Sequence, residues 1–600
     1  MAYQKYALAC LTLMSGLAVF TPSHANSIYP QSKLNNFGVG AFAASTLSET
    51  LKVDAFQATH TILNSGGTLQ VANKPTESLI NKQSPWLMDG GISANSQQLI
   101  SLLKDAEVHG LNSDNYGLPK ILFTVNKILK LEYGESAEGE LSAAELNTLK
   151  VSLRRDLDGQ MDDAFLRLAR DLGRGVTKAT KVQRQMFRKA PKVNPEEWLN
   201  AVSRGEISAR SALHSLMPNE PAYQRLTKHM RKLLNERSSG TRRITVADTE
   251  ERAQQSPDND LERLQLRLVQ TGELVLNTEL SKTFTPELRV AIESFQKRNG
   301  IPVTGEPDSR TRVALNQRVE SEIQAVALSL ERWRWMPRTL GEKHIFVNVP
   351  DYTVQVRKKG ETILSMPTVV GKVRHATPTF SEEMDHIVFN PTWTVPRSIT
   401  NREMIPKERK KPGYLKSRNF DVMRRDGGHL IRVPFEEITA ADYAADRFPY
   451  VLQQRSGPGN ALGNMKFMMP NPYNIYLHDT QAKKLFSHHD RAYSHGCIRL
   501  SEPEAMARVL LHEDGFSNEE IEFHLANKDR KLVRFNTPIA THLIYMTTWV
   551  DEEGVLNTRA DIYNHDEALI GALKEKNTLI NNLQRVPPIS SAGRAGGREG

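Results

Sequence analysis

The sequence predicts a multidomain α+β chain: a helical scaffold, a small three-helix module, and a mainly β domain interrupted by a capping insertion. Three observations predict it. Apolar residues recur every three or four positions up to about residue 234, three short capped helices follow within about sixty residues, and after Pro337 the period changes to two. Six hundred residues, 39% hydrophobic and 24% charged, describe an ordinary globular chain of several domains.

The N-terminus reads as a secretory signal over 1–25. Lys5 is the only charged residue before Ala25, an apolar run from Tyr6 to Phe20 follows, and Ser23-His24-Ala25 supplies small residues for cleavage. The run is shorter than the roughly 20 residues of a membrane span, although an uncleaved signal would hold the chain at the inner membrane. The expected address is therefore an oxidising envelope compartment, the periplasm. Only Cys10 and Cys497 exist, and Cys10 lies in the signal, so an exported chain carries one thiol and no internal disulfide. The formal charge of +9 is spread along the chain, which favours an anionic partner but not the clustered footprint of a nucleic-acid binder.

Residues 26–80 are polar and poorly defined. From 81 to 240 the pattern is helical: Leu99, Leu102, Leu103 and Ala106 share a face before Gly110, which sits where a C-cap belongs. Ser142 and Glu145 form a capping box ahead of Leu146, Leu149, Leu153, Leu157, Met161, Phe165, Leu168 and Leu172, a stripe that reads as core packing. A further helical stretch runs from Trp198 to Leu234, and Asn235 to Asn259 reads as a linker.

Over 258–317, Leu261, Leu264 and Leu268 mark a helix ending at Thr271-Gly272. Thr285-Pro286 starts a second with Leu288, Ile292 and Phe295 on one face, and Asp308 caps a third. The string from Ala291 to Ile301, with Thr304-Gly305, Thr311 and Leu315-Asn316, resembles the peptidoglycan-binding domain of wall enzymes. A generic three-helix spacer is the other reading, and Glu306-Pro307-Asp308 departs from the glycine-containing turn that family often carries, which bears on ligand affinity more than on the fold.

The β domain is expected over 340–535. Ile345–Val349, Thr353–Arg357 and Thr362–Met366 alternate as a meander turning at Lys359-Gly360, and Ile387–Pro396 continues it. Residues 397–470, rich in charge and glycine, interrupt the strands as a capping insertion, and Asn474 to Leu477 resume them. Residues 536–580 are expected to complete the scaffold, and the tail 587–600 reads as disordered.

The chemistry concentrates in Ser494-His495-Gly496-Cys497-Ile498-Arg499. His478 lies nineteen residues before the cysteine at the end of a predicted strand. The intervening polar loop lets the chain fold back and bring imidazole beside thiol, the ingredients of a nucleophile and its base. A free thiol needs a neighbouring imidazolium or backbone N–H groups to persist as thiolate near neutral pH. Gly496 permits a sharp turn, and the N–H groups of residues 495–497 can form an oxyanion hole, each donor worth roughly 3 kcal/mol of barrier. The duller alternatives are a buried inert thiol and a packed histidine. A zinc site drawing on His478, His488 or His489, His495 and Cys497 also has enough ligands, but its spacing fits no usual zinc pattern.

This segment resembles the catalytic motif of the YkuD-like L,D-transpeptidases, with His478, Ser494, His495, Gly496, Cys497 and Arg499 at matching positions. Leu330–Pro337, Phe389–Pro396, Asn460–Gly463, Tyr476–Thr480 and the run from Ile544 to Tyr563 resemble the large YcbB-type multidomain subgroup. The resemblance implies cysteine acyl transfer on peptidoglycan stem peptides, a tetrapeptide donor and a diaminopimelate acceptor, with no cofactor and with covalent inhibition by carbapenems. It implies Cys497 as nucleophile and His478 as proton donor and acceptor, with the Asp479 carbonyl orienting His478. The backbone N–H groups of His495 and Gly496 would serve the oxyanion. Arg499, Ser494, Tyr476 and Trp393 are candidates for substrate contact, with a structural role for each as the alternative. The product would be a 3→3 cross-link; attaching or detaching a lipoprotein, or a silent wall-binding scaffold, are the other readings. Whether a glycosyltransferase or carboxypeptidase partner is needed stays open.

Overall fold

The long capped helix is Ala143–Arg174, and its first turn carries the Ser142–Glu145 capping box. Only its C-terminal part, from Leu157 to Leu172, is buried; Leu146, Leu149 and Leu153 lie half-exposed because few elements cover the first turns. In the computed structural model the described residues are 84–133, 141–182, 186–187, 190–275 and 279–583. The signal, the 26–80 segment and the 587–600 tail lie outside them. No helix among the described residues is long and apolar enough to cross a membrane.

The scaffold differs from the sequence reading in detail. The helix of Leu99 and Leu103 stops at Lys104, and a 3-10 turn carries the chain to Gly110, whose φ of +72° supplies the left-handed cap. The stretch expected as one helix from Trp198 breaks into Pro195–Ser203, Ala209–Leu216 and Pro221–Ser238, because Gly205 turns the chain at φ +72° and Pro221 restarts it. Helix Val319–Arg334 runs through this core and is buried nearly all round, unlike an amphipathic surface helix. Its charges are paired inside: Glu331 accepts from the Thr177 N–H and hydroxyl at 2.7 Å and from Arg334 at 2.7 Å, and Arg332 pairs with Asp566 at 2.6 Å.

The small module has helices Pro257–Thr271, Pro286–Arg298 and Ser309–Leu315, capped by Thr285 and Asp308 as the sequence suggested. Buried Gln296 ties its loop by donating to Thr304, the Glu306 carbonyl and Thr311. The segment expected as a linker is structured: Val246 is buried in this module, and Arg243 pairs with Glu236 and Glu322 at 2.6 Å.

The β domain contains β1 (Lys343–Asn348), β2 (Thr353–Lys358), β3 (Glu361–Gly371), β4 (Phe380–Phe389), β5 (Trp393–Thr394), β6 (Phe420–Asp426), β7 (His429–Val433), β8 (Val451–Gln454), β9 (Met465–Met468), β10 (Leu477–His478), β11 (Ala492–Ser494), β12 (Ile498–Leu500) and β13 (Lys531–Ile544). The large sheet runs β11-β3-β12-β10-β9-β4-β13-β1-β2, and β2 also pairs with β3, so the sheet closes on itself. Closure pairs both edges of every strand of the ring, and β11 alone hangs on its rim, paired to β3. Lys359 and Gly360, both at positive φ, make the two-residue turn between β2 and β3.

Two expected boundaries move. The insertion has its own sheet, β5-β8-β6-β7, over an apolar core of Ile405, Leu415, Val422, Phe448 and Leu452, but it ends before Met465. Residues 465–468 belong to the closed sheet as β9, a strand too short and methionine-rich to announce itself. The expected limit at 535 cuts through β13, which pairs with both β4 and β1 and so sits inside the catalytic sheet. Only after Ile544 does the chain return to the scaffold, where Leu569, Ile570 and Leu573 enter its core.

Candidate active site

Strand register assembles the site. β10 runs parallel to β12 with Leu477 opposite Ile498 and His478 opposite Arg499, while β9 runs antiparallel to β10 with Lys466 opposite His478. Side chains alternate along a strand, so Lys466, His478 and Arg499 form a row on one face. Phe467, Leu477 and Ile498, each 0% exposed, fill the barrel core behind them. One step back along the same register, Tyr476 and Cys497 face the side that His478 faces, and the Ile498 N–H donates to the Tyr476 carbonyl at 3.1 Å. Cys497 and His478 are thus diagonal neighbours on adjacent strands. Both line a cavity of about 1170 Å³ that the insertion roofs with Trp393, Arg397, Glu403 and Arg425.

The loop before Cys497 is held at each residue. Ser494 Oγ accepts from the Gly496 N–H at 3.0 Å and donates to the Cys497 carbonyl at 2.6 Å. Gly496 sits at φ +115°, and a Cβ there would stand 3.2 Å from Ile475 Cδ1, so both conformation and space favour glycine. Thr377, fully buried, donates to the Gly496 carbonyl at 2.8 Å and accepts from the Gly371 N–H at 2.9 Å. Tyr563, from the C-terminal segment, donates to the Gly371 carbonyl and accepts from the Thr377 N–H at 3.3 Å.

These bonds alter the oxyanion assignment. The Gly496 N–H, expected to stabilise the oxyanion, donates instead to Ser494 Oγ at 3.0 Å. Among the described residues the N–H groups of His495 and Cys497 have no such acceptor, which leaves them as the donors available to a substrate oxygen. The His495 side chain points to the insertion: its Nε2 meets Glu403 Oε1 at 2.5 Å, and its ring lies 4.8 Å from that of His375. Although burial pushes the Glu403 carboxyl up, the His495 bond and the charges of Lys372 and Lys407 hold it below its usual value.

His478 is fixed through Asp479. Its Nδ1 contacts the Asp479 carbonyl, so Nδ1 carries the proton and Nε2 is left as the acceptor. The Asp479 carboxylate is occupied, accepting from Asn464 and Thr480 N–H groups at 2.8 and 2.7 Å and from Lys483 at 2.8 Å. Gly463, at φ +60°, allows this approach, since a Cβ there would fall 2.1 Å from Asp479 Oδ2.

Burial and the Arg499 charge, with a smaller push from Lys466, lower the His478 imidazole to about 3. Burial pushes the Cys497 thiol up from its ordinary value, opposed by Tyr476, Lys466 and Arg499. The resting pair is therefore neutral thiol beside neutral imidazole. The imidazolium expected to hold a thiolate is absent because a buried cation between two others is disfavoured.

Tyr476 is half-buried beside Cys497, with the Lys466 ammonium 3.9 Å from its ring centroid. Trp393 sits on β5 at the cavity wall, and Arg499 is half-buried with its Nε lacking a partner. His488 and His489 lie in the loop, engaged with Tyr493 and Asp490, and no metal-binding cluster of His, Cys, Asp or Glu occurs among the described residues. Sequence reading missed Lys466, Glu403, His375 and Thr377. Strand pairing could have flagged Lys466 only once β9 was recognised.

Residues 342–514 match the L,D-transpeptidase catalytic domain family (YkuD), residues 79–230 the scaffold domain family, and residues 257–315 the family described as "Putative peptidoglycan binding domain". A Haemophilus influenzae protein named "Putative L,D-transpeptidase" is 32% identical over 253 residues, covering 42% of this chain and 50% of that protein. The chain thus spans half the length of this curated relative. Among solved structures, an L,D-transpeptidase from Mycobacterium smegmatis is 16% identical over 28% of this chain and 52% of its own, with a TM-score of 0.15. One from Stackebrandtia nassauensis is 13% identical over 47% and 88%, with a TM-score of 0.20.

Proposed function

We propose, from the L,D-transpeptidase catalytic domain that this chain carries at residues 342–514, that it joins peptidoglycan stem peptides through a thioester on Cys497. The observation that carries this reading is the shared strand face of His478 and Cys497 on the wall of a roofed cavity. A donor tetrapeptide enters with the carbonyl of its third residue, diaminopimelate, at the sulfur. Cys497 passes its proton to His478 Nε2 as the sulfur attacks, so the charged pair exists only while the bond forms. Oxygen charge is met by the N–H groups of His495 and Cys497. The carbon–nitrogen bond breaks, His478 returns the proton to the departing D-alanine amine, and a thioester remains. An acceptor diaminopimelate amine gives a proton to His478, attacks the thioester carbonyl, and expels Cys497 sulfur, which is reprotonated; a 3→3 cross-link results.

The peptidoglycan-binding module supports a wall substrate, and the proposed location is the periplasm. The test is muropeptide analysis of a host making the wild-type or Cys497→Ala protein, with intact mass after incubation with a carbapenem. A mass adduct and 3→3 dimers in the wild type, both absent in Cys497→Ala, are expected. Cross-linking retained by Cys497→Ala would sink the mechanism.

A further inference from the structure

Lys466 is a cationic side chain lining the cavity that the mechanism above does not use. It lies across β9 and β10 from His478, which in turn faces Arg499 across β10 and β12, so the base stands between two cations. Both are half-buried, and neither meets a carboxylate among the described residues. The Arg499 Nε is buried with no partner at all, and the Lys466 ammonium rests against the Tyr476 ring. Among the described residues that line the cavity the single carboxylate, Glu403, is taken by His495. Two cations drawn partly out of water with no counter-ion cost stability. That cost falls when an anion enters between them.

We propose that Lys466 and Arg499 form a carboxylate clamp that makes the enzyme selective for acyl donors carrying a free acid beside the scissile carbonyl. The inference rests on the reading that Cys497 is acylated by a peptide donor. The Arg499 guanidinium offers a planar fork for two carboxylate oxygens, and the Lys466 ammonium a point charge opposite it. A donor anion seated there would lie beside His478 and Cys497, with its adjacent carbonyl at the sulfur. It would also offset the push of both cations on His478, easing the arrival of the sulfur proton when a correct donor is bound. A donor offers this chemistry from two sources: the carboxylate of the departing terminal residue, or the side-chain carboxylate of diaminopimelate.

The experiment measures steady-state kinetics of the full chain with three tetrapeptide donors: the free acid, the same peptide with a C-terminal amide, and the same peptide with the diaminopimelate carboxylate amidated. Wild type is expected to prefer the free acid by about 10- to 100-fold over one amidated donor, and which one identifies the source, as suits a charge-assisted bond of 1.5–3 kcal/mol. Lys466→Gln should lose that preference, its KM for the free-acid donor rising by about 10-fold or more while its KM for the disfavoured donor changes far less. Lys466→Arg should retain most of it. Alkylation of Cys497 by iodoacetamide, a neutral reagent, reports folding and thiol reactivity in each variant. Equal losses of Lys466→Gln on all three donors, or wild-type acylation indifferent to amidation, would overturn the clamp. No Cys497 adduct with any donor would instead overturn the acyl-transfer reading.

Discussion

The neutral resting pair makes a strong prediction about Cys497 reactivity with pH. A fall of His478 from the ordinary 6.5 to about 3 corresponds to about 5 kcal/mol against the imidazolium at this position. At pH 7 essentially all His478 is neutral. Burial outweighs Tyr476, Lys466 and Arg499 at the sulfur and pushes the thiol above its ordinary value, so the neutral thiol predominates there. The perturbation is pH from 4 to 10 at constant ionic strength, and the readout is the rate of iodoacetamide alkylation followed by intact mass. A single rise toward alkaline pH is expected, with its inflection above that of a free thiol. His478→Gln should leave that inflection in place while slowing acylation by the peptide donor 100- to 10,000-fold, because the histidine acts during attack and not before it. A reactive plateau between pH 5 and 7, lost on His478→Gln, would refute the reasoning, since it requires a thiolate–imidazolium pair at rest.

Thr377→Val removes two hydrogen bonds at a fully buried position and leaves the Gly371 N–H without a partner, which costs about 2–4 kcal/mol in urea unfolding and lowers kcat by loosening Gly496. Unchanged kcat would show that the Gly496 carbonyl needs no anchor. Gly463→Ala drives a methyl into the Asp479 carboxylate, so a lowered Tm and an acylation rate reduced along with His478 positioning are expected, whereas Gly459→Ala, with open space around it, should lower Tm far less. Acid should destabilise the fold. His109, His478 and His565 are each held near 3 and neutral, so the unfolded chain binds their protons below about 6.5 and stability falls as pH drops. Asp171, pushed up to about 6, works in the opposite direction and offsets one of them. These four groups together contribute about 3 kcal/mol per pH unit between pH 4 and 6, to be checked by calorimetry; a Tm flat from pH 7 to 5 would contradict it.

The helical parts were legible because their signals are local. A capping box fixes Ser142 and Glu145 within four residues, and Thr285, Asp308 and Gly272 mark helix ends that need no distant partner. Where the reading slipped, the deciding partner was remote. Met465–Met468 is a strand because β4 and β10 flank it, and β13 belongs to the catalytic sheet because β1 and β4 do. Glu403 lies 92 residues from His495, on a stretch of π-helix that nothing in its own sequence announces.

The sequence by itself determined the domain order, the pairing of one thiol with one histidine, and the demand for glycine at 496, because spacing and residue type carry those facts. Tertiary structure decided the charge state of that pair and the company it keeps. Protonation depends on burial and on cations from neighbouring strands, and only strand register brings Lys466 and Arg499 to either side of His478.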